Sequence, residues 1–145
     1  MDDIKEQIVN YLSRRRFLTL ATSTQKGDPL IHPLAYVNKE DTIYFSTGTQ
    51  TRKFKNIQNN PNVAYSVYDP TDHLEEVISV QMEGKATPVT DKKEINEINK
   101  MLNLKFPNMS YLIKNEDSII IKISPKSCYF MDYSKGFSYR DTVEY

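Results

Sequence analysis

The stretch "FSTGTQTRKFKNIQNNPNVAYSV", residues 45–67, decides how this chain is read. A strand pattern ends at Ser46, a polar loop around Gly48 follows, and Thr51, Arg52 and Lys53 arrive together as a helical pattern begins. Phe54 and Ile57 share one face of the helix expected over 51–59. The polar pair before Pro61 stops it, because the residue ahead of a proline is pushed out of the helical region. A strand is expected next, over 62–69. A strand, a glycine-containing loop and a helix with cations in its first turn make an anion-site arrangement. Backbone N–H groups at a helix start are unpaired and point outward. Arg52 adds a bidentate fork and Lys53 a point charge. The hydroxyls of Ser46, Thr47, Thr49 and Thr51 offer short hydrogen bonds. The same residues also fit a capped surface helix with ordinary basic side chains, and the charge pattern alone leaves both readings open.

Outward from this stretch the chain reads mostly as strands. Ile4, Ile8, Tyr11 and Leu12 recur at helical spacing, so a helix is expected over 2–14, capped by Asp2 or Asp3. Arg14, Arg15 and Arg16 read as its solvated end, complementing the helix dipole. Three strands follow, over 17–24, 30–38 and 42–47, joined by the turns "QKGDP" (25–29) and "KED" (39–41). Beyond the opening stretch come a loop over 70–76 and a long strand over 77–89, in which Gly84 marks a bulge or a close approach. A helix is expected over 90–106, with Thr90 or Asp91 as cap and Ile95, Ile98, Met101 and Leu102 as its apolar stripe. A short helical piece is expected over 108–114, and a last strand over 118–133, where Pro125 marks an edge or a bulge. The tail "GFSYRDTVEY" carries no helical pattern. Six strands with inserted helices and no βαβ alternation predict a mainly β chain. Closure into a small antiparallel barrel hides the strand edges. Residues 1–145 show no repeat or linker and read as one domain.

Composition removes several function classes. Lys plus Arg and Asp plus Glu are 19 each, a formal net charge of zero. That argues against a nucleic acid as the main partner, since such binding rests on many neutralised phosphates. With 4 glycines, at 27, 48, 84 and 136, no G-x-G-x-x-G fingerprint can be written. The Gly84-Lys85 pair has Ser79 where a nucleotide-triphosphate loop needs glycine, and Ala86 where it needs a hydroxyl. The lone cysteine, Cys128, allows no internal disulfide and reads as a buried, inert thiol. The amphipathic start "MDDIKEQIVNYL" lacks the apolar core of a signal peptide, and no apolar run reaches membrane-spanning length. A cytoplasmic location is the expectation.

Other chemistry-bearing residues give weaker signals. His32 lies mid-strand beside Pro33 without partners at metal-ligand spacing, and reads as structural or pocket-lining. His73 sits with Asp69, Asp72, Glu75 and Glu76 in what reads as a solvated acidic loop rather than a cation site. Tyr129, Phe130, Tyr133, Phe137 and Tyr139 crowd the C-terminal part, fit either to cover a planar ligand or partner subunit or to serve as core and rim.

In order and spacing, "FLTLATS…GDPLIHPLAYV…DTIYFSTGTQTRKFKNIQNNPNVAYSVYD…VQMEGKATPVTD" resembles the pyridoxamine 5'-phosphate oxidase-like, FMN-binding split-barrel family. The similarity runs from about Phe17 to about Asp91 and extends through "IIIKISPKSCYFMDY". The resemblance implies a six-stranded antiparallel split barrel, a homodimer and FMN bound at the subunit interface. It implies that Arg52 and Lys53 hold the FMN phosphate, with Ser46, Thr47 and Thr51 beside them. The strand His32-Pro33-Leu34-Ala35-Tyr36 would run along the isoalloxazine ring, its backbone meeting the flavin's polar edge. Ser79 or Gln81 would reach the cofactor from the other side or from the other subunit. A flavin-dependent oxidoreductase acting on a small-molecule redox substrate is the implied activity, with a non-catalytic flavin carrier or sensor as the alternative. Related split barrels take haem or the deazaflavin F420. True pyridoxamine-phosphate oxidases also carry a C-terminal Arg-x-His element. Here Arg140 stands in the tail and no histidine follows His73, so that substrate and that activity are not carried over.

Overall fold

The structure, a computed structural model, describes residues 3–108 and 117–145. The helix α1 (Asp3–Ser13) leads into β1 (Phe17–Ser23), β2 (Pro29–Ala35), β3 (Val37–Lys39) and β4 (Thr42–Gly48). Then come α2 (Arg52–Asn59), β5 (Asn62–Tyr68), β6 (Ile78–Pro88), α3 (Lys92–Lys105), β7 (Ser118–Asp132) and β8 (Arg140–Glu144). Short 3-10 turns sit at Leu74–Glu76 and Tyr133–Lys135. The helical piece expected over 108–114 falls, apart from Asn108, outside the described residues.

All eight strands belong to one antiparallel sheet, ordered β2-β1-β5-β6-β7-β4-β3, with β8 paired to β7. β2 and β3, its opposite edges, are consecutive in the chain and separated by Tyr36 alone. The sheet therefore has to curl until its two edges come within one residue of each other, which is the split barrel expected from the resemblance. The strand count is eight where six were expected. The run read as one strand over 30–38 changes partners at Tyr36, from β1 to β4, and the tail adds β8. The N–H of Tyr36 bonds to the Arg16 carbonyl at 3.2 Å, and its buried hydroxyl donates to the Leu12 carbonyl at 2.6 Å. That anchoring fixes the corner where the chain crosses from one edge to the other.

β7 is 15 residues long and holds three partners. β6 runs along one flank, while β4 and β8 lie end to end along the other, against Ser118–Ile123 and Ser127–Met131 respectively. Between those halves the β6–β7 register slips from Glu83↔Ser127 to Gly84↔Pro125, leaving Lys126 as the extra residue of a bulge. Gly84 also sits at a close approach. A Cβ built there would lie 2.5 Å from the Ser124 carbonyl oxygen and 2.8 Å from Ile123 Cγ2.

The alternation of each strand splits its side chains between two cores. The barrel interior holds Leu18, Leu20, Ile43, Phe45, Tyr65, Val80, Met82, Ile121 and Phe130, closed off by Ile8, Tyr11 and Leu12 of α1 and by Phe54 and Ile57 of α2. A second cluster lies on the outer face, where Val37, Tyr44 and Ile120 meet Ile98 and Leu102 of α3. Asp91 caps α3 by accepting from the Glu94 N–H at 3.0 Å. The Arg14–Arg16 run is not a simple solvated end. Arg15 pairs with Asp69 at 2.5 Å over the Tyr11 ring, and Arg16 donates to the Lys105 carbonyl while lying over Phe106. One interior group lacks a match: the buried Tyr65 hydroxyl has no hydrogen-bond partner among the described residues.

Two substitutions test this packing by chemical denaturation. Gly84→Ala is expected to lower stability by about 1–3 kcal/mol, because backbone rather than a flexible side chain occupies the Cβ position. Tyr65→Phe removes an unsatisfied buried hydroxyl and is expected to hold or raise stability by about 1 kcal/mol.

Candidate functional site

The site grows from the junction of β4 and α2. Alternation along β4 sends Ile43, Phe45 and Thr47 to the barrel interior, and Tyr44 and Ser46 to the α3 side. Thr47 is almost fully buried and its hydroxyl meets that of Thr51 at 3.2 Å. Thr51 is the N-cap of α2: its Oγ accepts from the Phe54 N–H at 3.2 Å and donates to the Gly48 carbonyl at 3.0 Å. The cap uses the side-chain oxygen to satisfy one first-turn donor. Arg52 and Lys53 are then the first two residues of the helix, and Phe54 and Ile57 pin it to the core. The opening stretch is thus a strand end, a capped turn and a basic helix start, in the order its residues require.

Two amides hold the far side of α2. Asn56 donates to Thr22 Oγ of β1 at 3.0 Å, and Asn60 donates to Ser23 Oγ at 2.9 Å while accepting from the Asn62 N–H. Between α2 and the β1–β2 turn lies a cleft of about 190 Å³, lined by Thr24, Asp28, Pro29, Leu30, Arg52, Lys55 and Asn56. Sequence reasoning missed Lys55, Asn56 and Asp28. Asn60-Pro61-Asn62 entered the sequence reading as a helix stop and as part of the family resemblance, not as a signal for the docking amides.

Electrostatics mark one residue. Lys53 is half-buried, and among the described residues it makes no ion pair. Burial lowers its pKa below the ordinary lysine value, with no anion offsetting the effect. Its charge reaches His32 of β2, whose pKa is lowered by burial and by Lys53. His32 is in register with Leu20, a core residue, so its side chain lies on the inner face of the sheet, as do Leu30 and Leu34. Among the described residues Lys53 is thus a half-buried ammonium without an ion pair, beside the exposed guanidinium of Arg52.

The other expected residues are dispersed. Leu34 packs against the barrel core, and Tyr36 is wholly buried within it under Lys105, 4.3 Å from the ring. Tyr36 therefore offers a ligand backbone only. Pro33 and Ala35 face outward from β2. Ser79 and Gln81 lie on the outer face of β6, in register with Tyr68 and Ser66, and Gln81 donates to the Met131 sulfur at 2.8 Å. Ser46 faces away from Thr47, toward the Ile120 side of β4. One chain brings together His32, Thr47, Thr51, Arg52 and Lys53, and holds Ser79 and Gln81 on the opposite face of the sheet.

Comparison with known proteins fits this arrangement. The family model described as pyridoxamine 5'-phosphate oxidase matches residues 4–132. General stress protein 26 of Bacillus subtilis is 38% identical over 61 residues, which are 42% of this chain and 43% of that protein. The chain spans about half the length of the curated relatives it matches. Among solved structures, HutZ, a haem storage protein of Vibrio cholerae, superposes with a TM-score of 0.72 at 17% identity, covering 83% of this chain and 89% of its own. An FAD-binding protein of Mesorhizobium loti superposes with a TM-score of 0.70 at 16% identity, covering 85% of this chain and 90% of its own. At those identities the likeness is one of fold. The family model covers nearly the whole chain, from α1 to the end of β7, and on that ground the protein belongs to the pyridoxamine 5'-phosphate oxidase-like split-barrel family.

Proposed function

We propose that the protein is an FMN-binding flavoprotein acting as an oxidoreductase on a small-molecule redox substrate. The observation that carries this reading is Lys53, half-buried without a counter-ion next to Arg52, in a chain of this family. Burying a cation is unfavourable unless it is paired, and a phosphate group supplies the missing charge. Arg52 and Lys53 bind that phosphate, and the Thr51 cap holds the helix start in place. His32, with the backbone of β2, flanks the flavin ring. When bound, the flavin itself supplies electron transfer, and the protein supplies orientation and electrostatics.

The reading includes a homodimer with FMN between subunits. Ser79 and Gln81 lie on the outer sheet face, which also exposes Ile31 (70%) and Phe17 (62%) and contains the small residues Ala21 and Ala64. A second copy packed on that face covers its apolar surface and brings the exposed Gln81 toward the partner's cofactor, with the nearly buried Ser79 behind it. The cytoplasm is the proposed location. Among the described residues no helix is long and apolar enough to cross a membrane. Arg15 and Arg16 are engaged within the chain, so the arginine run does not favour a nucleic-acid partner.

The first measurement is the visible spectrum of the purified protein, with mass spectrometry of what denaturation releases. Flavin bands and released FMN are the expected result. A Soret band, or released F420, overturns the FMN assignment. Arg52→Ala with Lys53→Ala is expected to raise the FMN dissociation constant about a hundredfold, the equivalent of about 3 kcal/mol for two charge-assisted contacts, with the circular dichroism unchanged. Full FMN occupancy in the double variant refutes the phosphate assignment. Light scattering is expected to give twice the 16.9 kDa chain mass. A monomer that binds FMN tightly refutes the interface site.

A further inference from the structure

Lys105, the last residue of α3, carries a half-buried amine that makes no ion pair among the described residues. Its Nζ lies 4.3 Å from the centre of the Tyr36 ring and 5.7 Å from that of Phe106. A second cation shares Phe106: the Arg16 guanidinium lies 4.6 Å from that ring centre and donates to the Lys105 carbonyl at 2.6 Å. The carboxylates of α3 are engaged elsewhere, Glu94 with Tyr44 and Lys122, and Glu97 with Lys39. Lys105 also lines a cleft of about 430 Å³ between α1, β3 and α3, together with Ser13, Val37, Asn38, Met101 and Leu104. This cleft shares no lining residue with the one beside α2. The polar side chains of Ser13 and Asn38 are already bonded. Ser13 Oγ donates to the Val9 carbonyl and accepts from Asn38, which also donates to the Glu40 carbonyl. Lys105 is therefore the reactive group of a cleft whose other free surface is apolar.

We propose that Lys105 is a covalent capture site for aldehydes with an apolar body, which it holds as a Schiff base in the cleft between α1, β3 and α3. The site is separate from the flavin reading and does not depend on it. Burial, and then the like charge of Arg16, push the amine down to about 8. A share of it is unprotonated near neutral pH, where a lysine at its ordinary value is almost wholly ammonium. A desolvated lysine beside another cation is a nucleophile for a carbonyl carbon. The Nζ lone pair adds to that carbon and forms the C–N bond, and the carbonyl oxygen takes up a proton. The carbinolamine then expels this oxygen as water while the C=N bond forms. Overall the ammonium and the aldehyde give an iminium and one water, whose two hydrogens come from the nitrogen, and nothing is oxidised or reduced. The iminium carries the same single positive charge as the ammonium it replaces, so the Tyr36 ring face that holds the one holds the other. Val37, Met101 and Leu104 cover the aldehyde's chain.

The test treats the full chain at about pH 7.5 with limiting pentanal and, in parallel, with formaldehyde, traps the imines with cyanoborohydride and maps the labelled lysines by peptide mass spectrometry. Pentanal is expected to label Lys105 about tenfold or more over every other lysine, the half-buried Lys53 included. Formaldehyde has no chain for the cleft to cover, and its preference for Lys105 is expected to be severalfold smaller. Met101→Glu sets a carboxylate one helical turn before Lys105, where it pairs with the ammonium. That variant is expected to cut pentanal labelling of Lys105 about tenfold with the circular dichroism unchanged. Labelling spread evenly over the lysines, or centred on Lys53, overturns the proposal. An equal preference for Lys105 with both aldehydes also overturns it, leaving a reactive amine without a cleft. So does undiminished labelling in a folded Met101→Glu variant.

Discussion

The pairing of β6 with β7 is the constraint on which the rest of the molecule depends. The slip at Gly84 and Lys126 bends these two long strands and increases their local twist, in the sense the curled sheet needs. The bend divides the far flank of β7 into two docking lengths, one for β4 and one for β8. Placing β4 there sets the position of its C-terminal end, and hence of the loop and helix that carry the cations. Side chains at that bend are limited by backbone contact: Gly84 is the residue that lets the Ser124 carbonyl approach.

The barrel closes through the chain itself. Tyr36 is where one edge of the sheet becomes the other, held by a backbone bond to Arg16 and a hydroxyl bond to Leu12. Burial drives the Tyr36 pKa well above the ordinary tyrosine value, so the phenol stays protonated as a donor. α1 is therefore part of the closure as well as a cover over the interior, and Asn38 repeats the tie by donating to Ser13 Oγ.

Local chemistry was legible in the sequence where short-range rules decide the outcome. The cap at Asp91, the first-turn cations, the stop before Pro61 and the bulge at Gly84 and Pro125 all follow from residue types and their neighbours, whereas Thr51, read as the first helical residue, is the cap of α2. Partner exchange was not legible. The run from Leu30 to Asn38 alternates like one strand, and only the barrel's closure makes it two. β8 was hidden because "RDTVE" has a single buried residue, Val143, and is ordered by pairing with β7 rather than by its own pattern. The arginine run looked solvated because Asp69, the partner of Arg15, is 54 residues away. The candidate site divides the same way. Its phosphate end is contiguous in sequence, while Ser79 and Gln81 lie on the other face of the sheet, where no local signal relates them to the cleft.

The order of strands also bears on how the molecule comes to be made. β4 and β6 are both completed on β7, which enters the sheet only from Ser118 onward. During synthesis, β1 can meet β2 and β5 can meet β6 early, while β4 waits for some seventy residues with an open edge, as it must from Gly48 to Ser118. Non-local strand pairing of this kind is slow, and an open apolar edge invites pairing with another chain. Ile43 and Phe45 alternate with Thr42, Tyr44 and Ser46 on that waiting strand. A chain lacking β7 therefore leaves that edge of β4 without its partner strand, a template for pairing with another chain.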